Sequence, residues 1–287
     1  MTLRRVEEEE TRKPVDGHRT GSHKRGMKNA GEISEARYEL LQPDQVVRRR
    51  RAMSLAYLPL GTIEWHGQQN PLGVDGLVAH EVCRRAAVRG GGVVFPGLWY
   101  GENRESNLAE VNRPISAAVA RAMRLPKGNF ARGYMGGDTL IGHSVFYQEL
   151  LWRIYHQIRS LGFQAIYVLV GHGPLKLPAQ LTSELFERAT GVRMAATLAS
   201  DLIGMHAPEH AARWETGIMM ELRPELVDLQ KIAGIPKSNL VGMHGEDPRQ
   251  GAAELGKKCV KEIVEELAKA GGQLLRRKAS DGGMTIA

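Results

Sequence analysis

Residues 57 to 75, YLPLGTIEWHGQQNPLGVD, are the stretch of sequence that decides the fold. An apolar run from Leu55 to Leu60 ends at Gly61, which is typical of a buried strand that stops at a turn. Polar residues follow at once, and open α/β sheets bind their ligands beyond the carboxyl ends of the strands. The stretch therefore predicts a buried strand that delivers a ligand-binding loop.

Three side chains of this loop are of the types that bind divalent metal ions. Glu64 and His66 are two residues apart, so in an extended chain their side chains point the same way, and Asp75 ends the stretch. Carboxylate and imidazole groups together suit zinc, manganese or iron. The spacing alone leaves a second interpretation open, in which the loop is merely polar and Asp75 caps the next helix.

The loop resembles the first motif of the creatininase (creatinine amidohydrolase) family. That motif runs approximately LPxGSxEQHGPHLPLGTD, and residues 58 to 75 of this chain are LPLGTIEWHGQQNPLGVD, with Glu64, His66 and Asp75 in register. Trp65 departs from the family, which usually has glutamine there. The resemblance favours the metal-binding interpretation of the loop.

A second apolar run, AIYVLVGHG at residues 165 to 173, ends at a histidine. An amphipathic helical pattern precedes it, and strand–helix–strand alternation predicts a parallel crossover that brings His172 to the same sheet edge as Glu64. The run resembles the family motif VNGHGGN. Some family members have a glutamate ligand two residues after the histidine, where this chain has Pro174, which cannot coordinate through its side chain.

A third motif, HAARWETGIMMELRPELV at residues 210 to 227, resembles the family pattern HAGEIETSxxLxLxPxLV. Without the resemblance, Glu215 is also explained as a carboxylate stabilised near a helix N-terminus. With it, Glu215 is favoured as the remaining carboxylate ligand and His210 as the leading proton-transfer residue. His206 is a weaker candidate for that transfer, and His80 is interpreted as a structural residue of a helix.

The resemblance implies two divalent metal ions, zinc, manganese or iron, as cofactors. In the arrangement that it implies, Glu64 and His172 hold one ion, His66 and Glu215 hold a second, and Asp75 bridges the two. Paired ions of this kind clamp a hydroxide and polarise a carbonyl.

The implied activity is hydrolysis of a non-peptide C–N bond in a small cyclic amide or a formamide. Hydroxide held at the ions would attack the carbonyl carbon, His210 would protonate the leaving nitrogen, and Glu215 completes the catalytic set. No GxSxG pattern occurs in the sequence, so covalent serine catalysis is not supported.

The predicted fold is a single α/β domain with a mainly parallel sheet flanked by helices. We expect residues 1–33 to form a flexible extension, residues 34–272 the creatininase-like domain and residues 273–287 a basic tail. Residues 102–141 form an irregular segment with one helical patch from Ile115 to Met123. Two roles stay open for that segment, shaping the substrate pocket or making an oligomer contact.

Local signals predict the remaining elements. A helix is expected from Ser34, whose hydroxyl can cap it, and Pro43 restarts it towards Arg51. Asp75 is predicted to cap the next helix in addition to binding metal. The other segments predicted from periodicity are strands at residues 90–101 and 192–200 and helices at residues 143–163, 178–191 and 252–271.

Composition restricts the other functional classes. No stretch approaches the run of about 18 apolar residues that a membrane helix needs, and the N-terminus lacks the apolar region of a secretory signal. Cys83 and Cys259 are far apart in sequence, which argues against a disulfide scaffold and favours the cytoplasm. The net charge of +7 lies largely in the runs Arg48–Arg51 and Arg276–Lys278, neither interleaved with aromatic residues, so nucleic-acid binding is not expected.

Two further expectations concern partners. The resemblance implies a homo-oligomer, often a hexamer in the family, that acts on a small-molecule amide. The alternative to an enzyme is a non-catalytic or degenerate scaffold of the same family that works through oligomer contacts. The departure at Pro174 motivates this alternative, whereas the five candidate ligands argue against it, because a scaffold does not need buried carboxylates around a charge.

Overall fold

The computed structural model describes residues 35–100, 116–125, 140–204, 209–250 and 253–278. The predicted N-terminal extension, most of residues 102–141 and His206 lie outside the described residues. The strands are β1 (Leu55–Leu60), β2 (Val93–Val94), β3 (Ala165–Val170) and β4 (Arg193–Leu198). The α-helices are α1 (Pro43–Ala52), α2 (Val74–Gly90), α3 (Ser116–Ala122), α4 (Leu140–Ser160), α5 (Lys176–Thr190), α6 (Arg213–Leu222) and α7 (Ala253–Arg276).

The strands form one parallel sheet in the order β2-β1-β3-β4. The chain leaves β1 through α2 towards β2 on one side and leaves β3 through α5 towards β4 on the other. The connections therefore diverge between β1 and β3, whose last residues, Leu60 and Val170, lie side by side. Such a switch point opens a crevice at the carboxyl ends of the strands, where α/β proteins bind ligands.

Side chains that alternate along the strands build a core on each face of the sheet. Leu55 and Tyr57 of β1 pack with Tyr167 of β3 into one core, which α2, α6 and α7 cover. Ala56 and Leu58 face the other way into the second core, which α4 and α5 cover. The burial of β1 and β3 on both faces explains why they are continuous apolar runs. The predicted single α/β domain with a parallel sheet flanked by helices is confirmed.

The predicted helix from Ser34 was wrong over residues 35 to 42, the part that the structure describes. The Glu35 carboxylate accepts hydrogen bonds from the backbone N–H groups of Ala36 and Arg37 and from the Arg37 side chain. This local bonding competes with a helix. The chain is extended at Arg37, which bridges to Val94, and then forms a short 3₁₀ turn before α1.

Three other element boundaries differ from the prediction. Asp75 does not cap α2, because Gly73 occupies the cap position and Asp75 lies in the first turn. The strand expected over residues 90–101 is only Val93–Val94. The last helix continues past residue 272 to Arg276, because Leu274 is buried in the core that α7 covers. Residues 273–276 therefore belong to α7.

The basic run in α1 has structural contacts. Arg49 donates hydrogen bonds to the carbonyl groups of Ala87 and Gly92, and Arg50 donates to that of Leu161. Both cysteines are buried and free. Across the described ranges, no helix combines the length and apolar character needed to cross a bilayer.

Candidate metal centre

The candidate site lies at the carboxyl ends of β1 and β3, where two glycines admit the start of α2. A Cβ atom on Gly61 would lie 2.4 Å from the backbone nitrogen of Gly76, and one on Gly171 would lie 2.3 Å from the carbonyl oxygen of Asp75. Only glycine leaves room for such a close approach of backbones. The two strands thus hold the first turn of α2 between them, and that turn presents Asp75 to the crevice.

Asp75 is the centre of the cluster. Its Oδ1 atom lies 3.1 Å from Nε2 of His66, and its Oδ2 atom lies 3.1 Å from Nδ1 of His172. The carboxylate is buried, and apart from the His172 ring no hydrogen-bond partner of Oδ2 is found within the described residues. One carboxylate therefore touches histidines from two different loops.

Glu64 joins the same group from the loop after β1. Its Oε1 atom lies 3.2 Å from Nδ1 of His172, 3.5 Å from Nδ1 of His210 and 3.8 Å from Nε2 of His66. A hydrogen bond from the Glu64 backbone N–H to the carbonyl of Leu72 closes the loop, at 3.0 Å. The sequence expectation that Glu64, His66 and His172 meet at one sheet edge agrees with these distances.

Glu215 reaches the cluster from the first turn of α6. Its Oε2 atom accepts a hydrogen bond of 2.6 Å from the backbone N–H of Ala211 and lies 3.8 Å from Nε2 of His66. Its carboxylate is nearer to solvent than those of Glu64 and Asp75. The structure therefore brings all five predicted ligands into one cluster, together with His210.

Potential ligand atoms in the cluster form three sets, each within 4.8 Å. The first set is Glu64, Asp75 and His172, and the second is His66, Asp75 and Glu215. These sets match the division into two ions with a shared aspartate that the resemblance implies. The third set, Glu64, His66 and His210, was not expected from the sequence. The binding of ions by any of these residues stays a prediction.

Backbone carbonyl groups fix which ring nitrogens face the cluster. Nδ1 of His66 lies 3.2 Å from the carbonyl oxygen of Glu64, and Nε2 of His210 lies 2.6 Å from that of Trp65. A carbonyl oxygen only accepts, so each of these nitrogens carries a proton. The ring nitrogens left to face the cluster are then Nε2 of His66 and Nδ1 of His210, and both lie within 4 Å of Glu64.

The carboxylates impose positive charge on the two buried histidines. Burial by itself lowers the pKa of His66, but Asp75, Glu215 and Glu64 outweigh it and raise the pKa to about 10. Burial also opposes protonation of His172, yet hydrogen bonds and charge from Asp75 and Glu64 raise its pKa to about 9. The cluster therefore favours bound positive charge, which protons on His66 and His172 supply in the ion-free protein.

The pKa values of Asp75 and Glu215 are shifted in opposite directions, and that of His210 is lowered. Burial disfavours the charge on Asp75, but His66 and His172 lower its pKa well below the usual range. Burial raises the pKa of Glu215 to about 7, with repulsion from Asp75 adding to it and His66 opposing it. Burial and the charge of His66 lower the pKa of His210. His210 is thus the neutral imidazole of the group at neutral pH.

A cavity of about 640 Å³ opens onto the cluster. Its wall includes Trp214, Ile218 and Pro174. Lys176 and Asp201 also line it and form an ion pair of 2.7 Å. The volume is in the range of small-molecule sites, and the lining combines apolar walls with a polar end.

Sequence analysis did not identify Gln69 and Asn70 as residues of the site. Gln69 donates a hydrogen bond of 2.8 Å to the carbonyl of Ala211, and Asn70 donates one of 3.0 Å to the hydroxyl of Thr216. These buried amides tie the loop after β1 to the start of α6. The run of three polar residues at positions 68 to 70 was the available signal. Trp65 ties the same loop to a different segment, because its indole N–H donates to the carbonyl of Val241 at 2.8 Å.

A model of the family described as creatinine amidohydrolase matches residues 39 to 270. The chain belongs to the creatininase family. The match includes all three motifs and every residue of the cluster described above. A creatininase of Pseudomonas putida, named creatinine amidohydrolase, is 28% identical over 194 residues, which cover 62% of this chain and 68% of that protein.

Solved creatininase structures share the fold. A crystal structure of creatinine amidohydrolase superposes with a TM-score of 0.61 at 20% identity, over 83% of this chain and 97% of that one. A manganese creatininase gives 0.59 at 20% identity, over 82% and 96%. Mutant creatininases of the same fold have been solved in a zinc–zinc form and in complex with creatine. At these identities the likeness establishes the fold.

The donor set of the cluster fits divalent cations. Three carboxylates and three imidazoles meet there, a mixture of oxygen and nitrogen ligands that suits zinc, manganese and iron. Within the described ranges, the three carboxylates form ion pairs with histidines alone and with no lysine or arginine. Asp75 Oδ2 is buried with the His172 ring as its single neighbouring donor in the described residues, and a bound cation would satisfy its remaining lone pair.

Proposed function

We propose that this protein is a metal-dependent hydrolase of a C–N bond other than a peptide bond, in a small cyclic amide or a formamide. Membership of the creatininase family supports the class of reaction. The observation that carries the proposal is the position of Asp75, whose two carboxylate oxygens each lie 3.1 Å from a different histidine. One carboxylate placed in this way suits a bridge between two ions.

The residues that would hold the ions fall into two groups. Glu64, Asp75 and His172 would hold one ion, and His66, Asp75 and Glu215 would hold the other. Bound divalent ions supply Lewis acidity, which polarises a carbonyl and makes a coordinated water more acidic.

The neutral imidazole of His210 would move the proton. Its Nε2–H is committed to the Trp65 carbonyl, so the nitrogen available for transfer is Nδ1, which lies 3.5 Å from Oε1 of Glu64. The lowered pKa of His210 leaves Nδ1 unprotonated at neutral pH. Nδ1 can therefore take a proton from the attacking water and return it to the leaving nitrogen.

The cavity supports a small and partly flat substrate. Trp214 and Ile218 offer apolar surface beside the carboxylates, and an indole ring suits stacking on a planar amide. Pro174 occupies the place of a family ligand, and its ring lies in the cavity wall instead. Because of this departure and of Trp65, we do not single out creatinine among the cyclic amides.

The test is hydrolysis by the full chain reconstituted with zinc or manganese. Creatinine, other cyclic amides and a panel of formamides serve as substrates, and Glu64→Gln is the matched variant, which removes a ligand charge with little change in shape. The proposal expects turnover of at least one compound that disappears both with a chelator and in Glu64→Gln. Metal-loaded protein that hydrolyses no amide in the panel would favour the scaffold alternative.

We also propose that the protein forms a homo-oligomer. An open groove of about 750 Å³ lies between α4 and α5, with Val145 and Leu185 exposed along it. Glu149 and Arg153 line the groove, so charges of both signs are available for a two-fold contact with a second copy. Sedimentation velocity should show an assembly that Leu185→Asp weakens, whereas a wild-type monomer would contradict the proposal. A cytoplasmic location stays a prediction.

A further inference from the structure

Glu209 lies beside the candidate metal centre but belongs to none of the three ligand sets. Its carboxylate is partly buried in the cavity wall. Within the described ranges no cationic side chain forms an ion pair with it, and the neighbouring charges that act on it are carboxylates, those of Glu215 and Glu246. A partly buried carboxylate without a cation needs another source of stabilisation.

The stabilisation comes from the start of α6. Oε1 of Glu209 accepts hydrogen bonds from the backbone N–H groups of Trp214 and of Glu215, the latter at 3.2 Å. Both groups belong to the first turn, whose N–H groups have no partner within the helix. The cap residue itself is Ala212, which has no side chain able to accept them. Glu209 therefore takes over the capping function from outside the helix.

Glu215 completes the arrangement in the opposite direction. Its side chain accepts from the backbone N–H of Ala211 at 2.6 Å, while its own N–H donates to Glu209. The chain folds back between them through Ala211, which has a positive φ of 55°. Gly245 leaves the space for Glu209, since a Cβ there would lie 2.9 Å from Cγ of Glu209. The direction of the Glu215 carboxylate is thus fixed at both its backbone and its side chain.

We propose that Glu209 is a positioning residue that holds Glu215 in place as a ligand of the second ion. The inference rests on the proposed function, because Glu215 needs positioning only if the cluster binds metal. Outer partners of metal ligands commonly contribute 10–100-fold to metal affinity, about the effect expected here. A cap with a purely structural role would change the stability of α6 and leave the affinities of the two ions in their wild-type ratio.

The experiment compares metal binding by the full-length wild type, Glu209→Ala and Glu209→Gln. The alanine variant removes the acceptor, whereas glutamine keeps a carbonyl oxygen in the same place. Glu246→Gln is the matched control, because Glu246 pairs with Arg213 in the same first turn at 2.6 Å and accepts from neither amide. Stripped proteins are titrated with zinc, bound metal is counted by mass spectrometry, and melting temperatures are recorded without metal.

The proposal expects two ions in the wild type, Glu209→Gln and Glu246→Gln. In Glu209→Ala it expects one tight ion and a second weakened about 10–100-fold. Two ions of wild-type affinity in Glu209→Ala would overturn the inference, as would loss of the second ion in Glu209→Gln. A wild type without bound zinc would instead overturn the proposed function. If Glu209→Ala does not fold, Glu209→Met, which keeps the volume without a strong acceptor, takes its place in the same comparison.

Discussion

Replacement of Asp75 by asparagine should remove both ions, because Asp75 belongs to both ligand sets. The substitution keeps the shape of the side chain and removes its charge. Mutation of an outer-shell partner of a ligand already costs about 10–100-fold in metal affinity. Loss of the shared ligand should therefore cost at least about 100-fold, or about 2.7 kcal/mol, at each ion. Glu215→Gln is the matched variant, since Glu215 belongs to one of these two sets.

The assay is metal content after dialysis against a zinc buffer, measured by mass spectrometry with protein concentration from amino-acid analysis. We expect the wild type, Glu215→Gln and Asp75→Asn to retain two, one and no ions. Circular dichroism establishes that each variant is folded. The reasoning is refuted if Asp75→Asn retains both ions, or if Glu215→Gln loses as many ions as Asp75→Asn does.

Three other outcomes are expected from the structure, one for pH and two for packing. In metal-free protein, folding raises the pKa of His66 from 6.5 to about 10, so the folded state is stabilised by a bound proton that it loses as the pH rises through this range. The melting temperature should therefore fall between about pH 6.5 and 10. A melting temperature that rises over this range would contradict the prediction. In Gly61→Ala, the new Cβ would lie 2.4 Å from the backbone nitrogen of Gly76, so the free energy of unfolding measured in urea should fall by about 1–3 kcal/mol. In Gly173→Ala, the new Cβ would meet no atom within 4 Å, so the free energy of unfolding should stay close to that of the wild type. Leu151→Ala leaves a cavity at a fully buried position and should lower the free energy of unfolding by about 2–5 kcal/mol in the same assay. Val145→Ala, at an exposed position, is the control. An equally small effect of both substitutions would contradict the prediction.

The sequence could predict that the ligands lie close together, because their positions depend on where the strands end. Two apolar runs that end in Gly61 and Gly171 form neighbouring parallel strands, and parallel strands present their carboxyl ends at one edge. Glu64 and His172 follow those ends closely in the sequence. Their approach to 3.2 Å is therefore a consequence of topology, which apolar runs and spacing express directly.

Local capping could not be foreseen in the same way. The sequence suggested a hydroxyl cap at Ser34 and a carboxylate cap at Asp75, yet the chain is extended near Glu35 and Gly73 takes the cap position of α2. Whether a polar side chain bonds its own backbone or begins a helix depends on small energy differences that tertiary contacts decide. The capping contact of Glu209 with the start of α6 was missed for the same reason.

The end of the last helix depended on packing that periodicity does not specify. Periodicity predicted a helix that ends at residue 271, the first of two consecutive glycines. In the fold, Gly271 lies so close to the sheet that a Cβ there would be 2.6 Å from the Leu55 side chain. The glycine is thus a point of close contact within α7, and the helix continues to Arg276.

The most direct test of the account is anomalous diffraction from crystals grown with zinc or manganese. We expect two peaks, one bound by Glu64, Asp75 and His172 and one by His66, Asp75 and Glu215, each about 2 Å from its ligand atoms. Crystals that contain the metal but show no peak at Asp75 would contradict it.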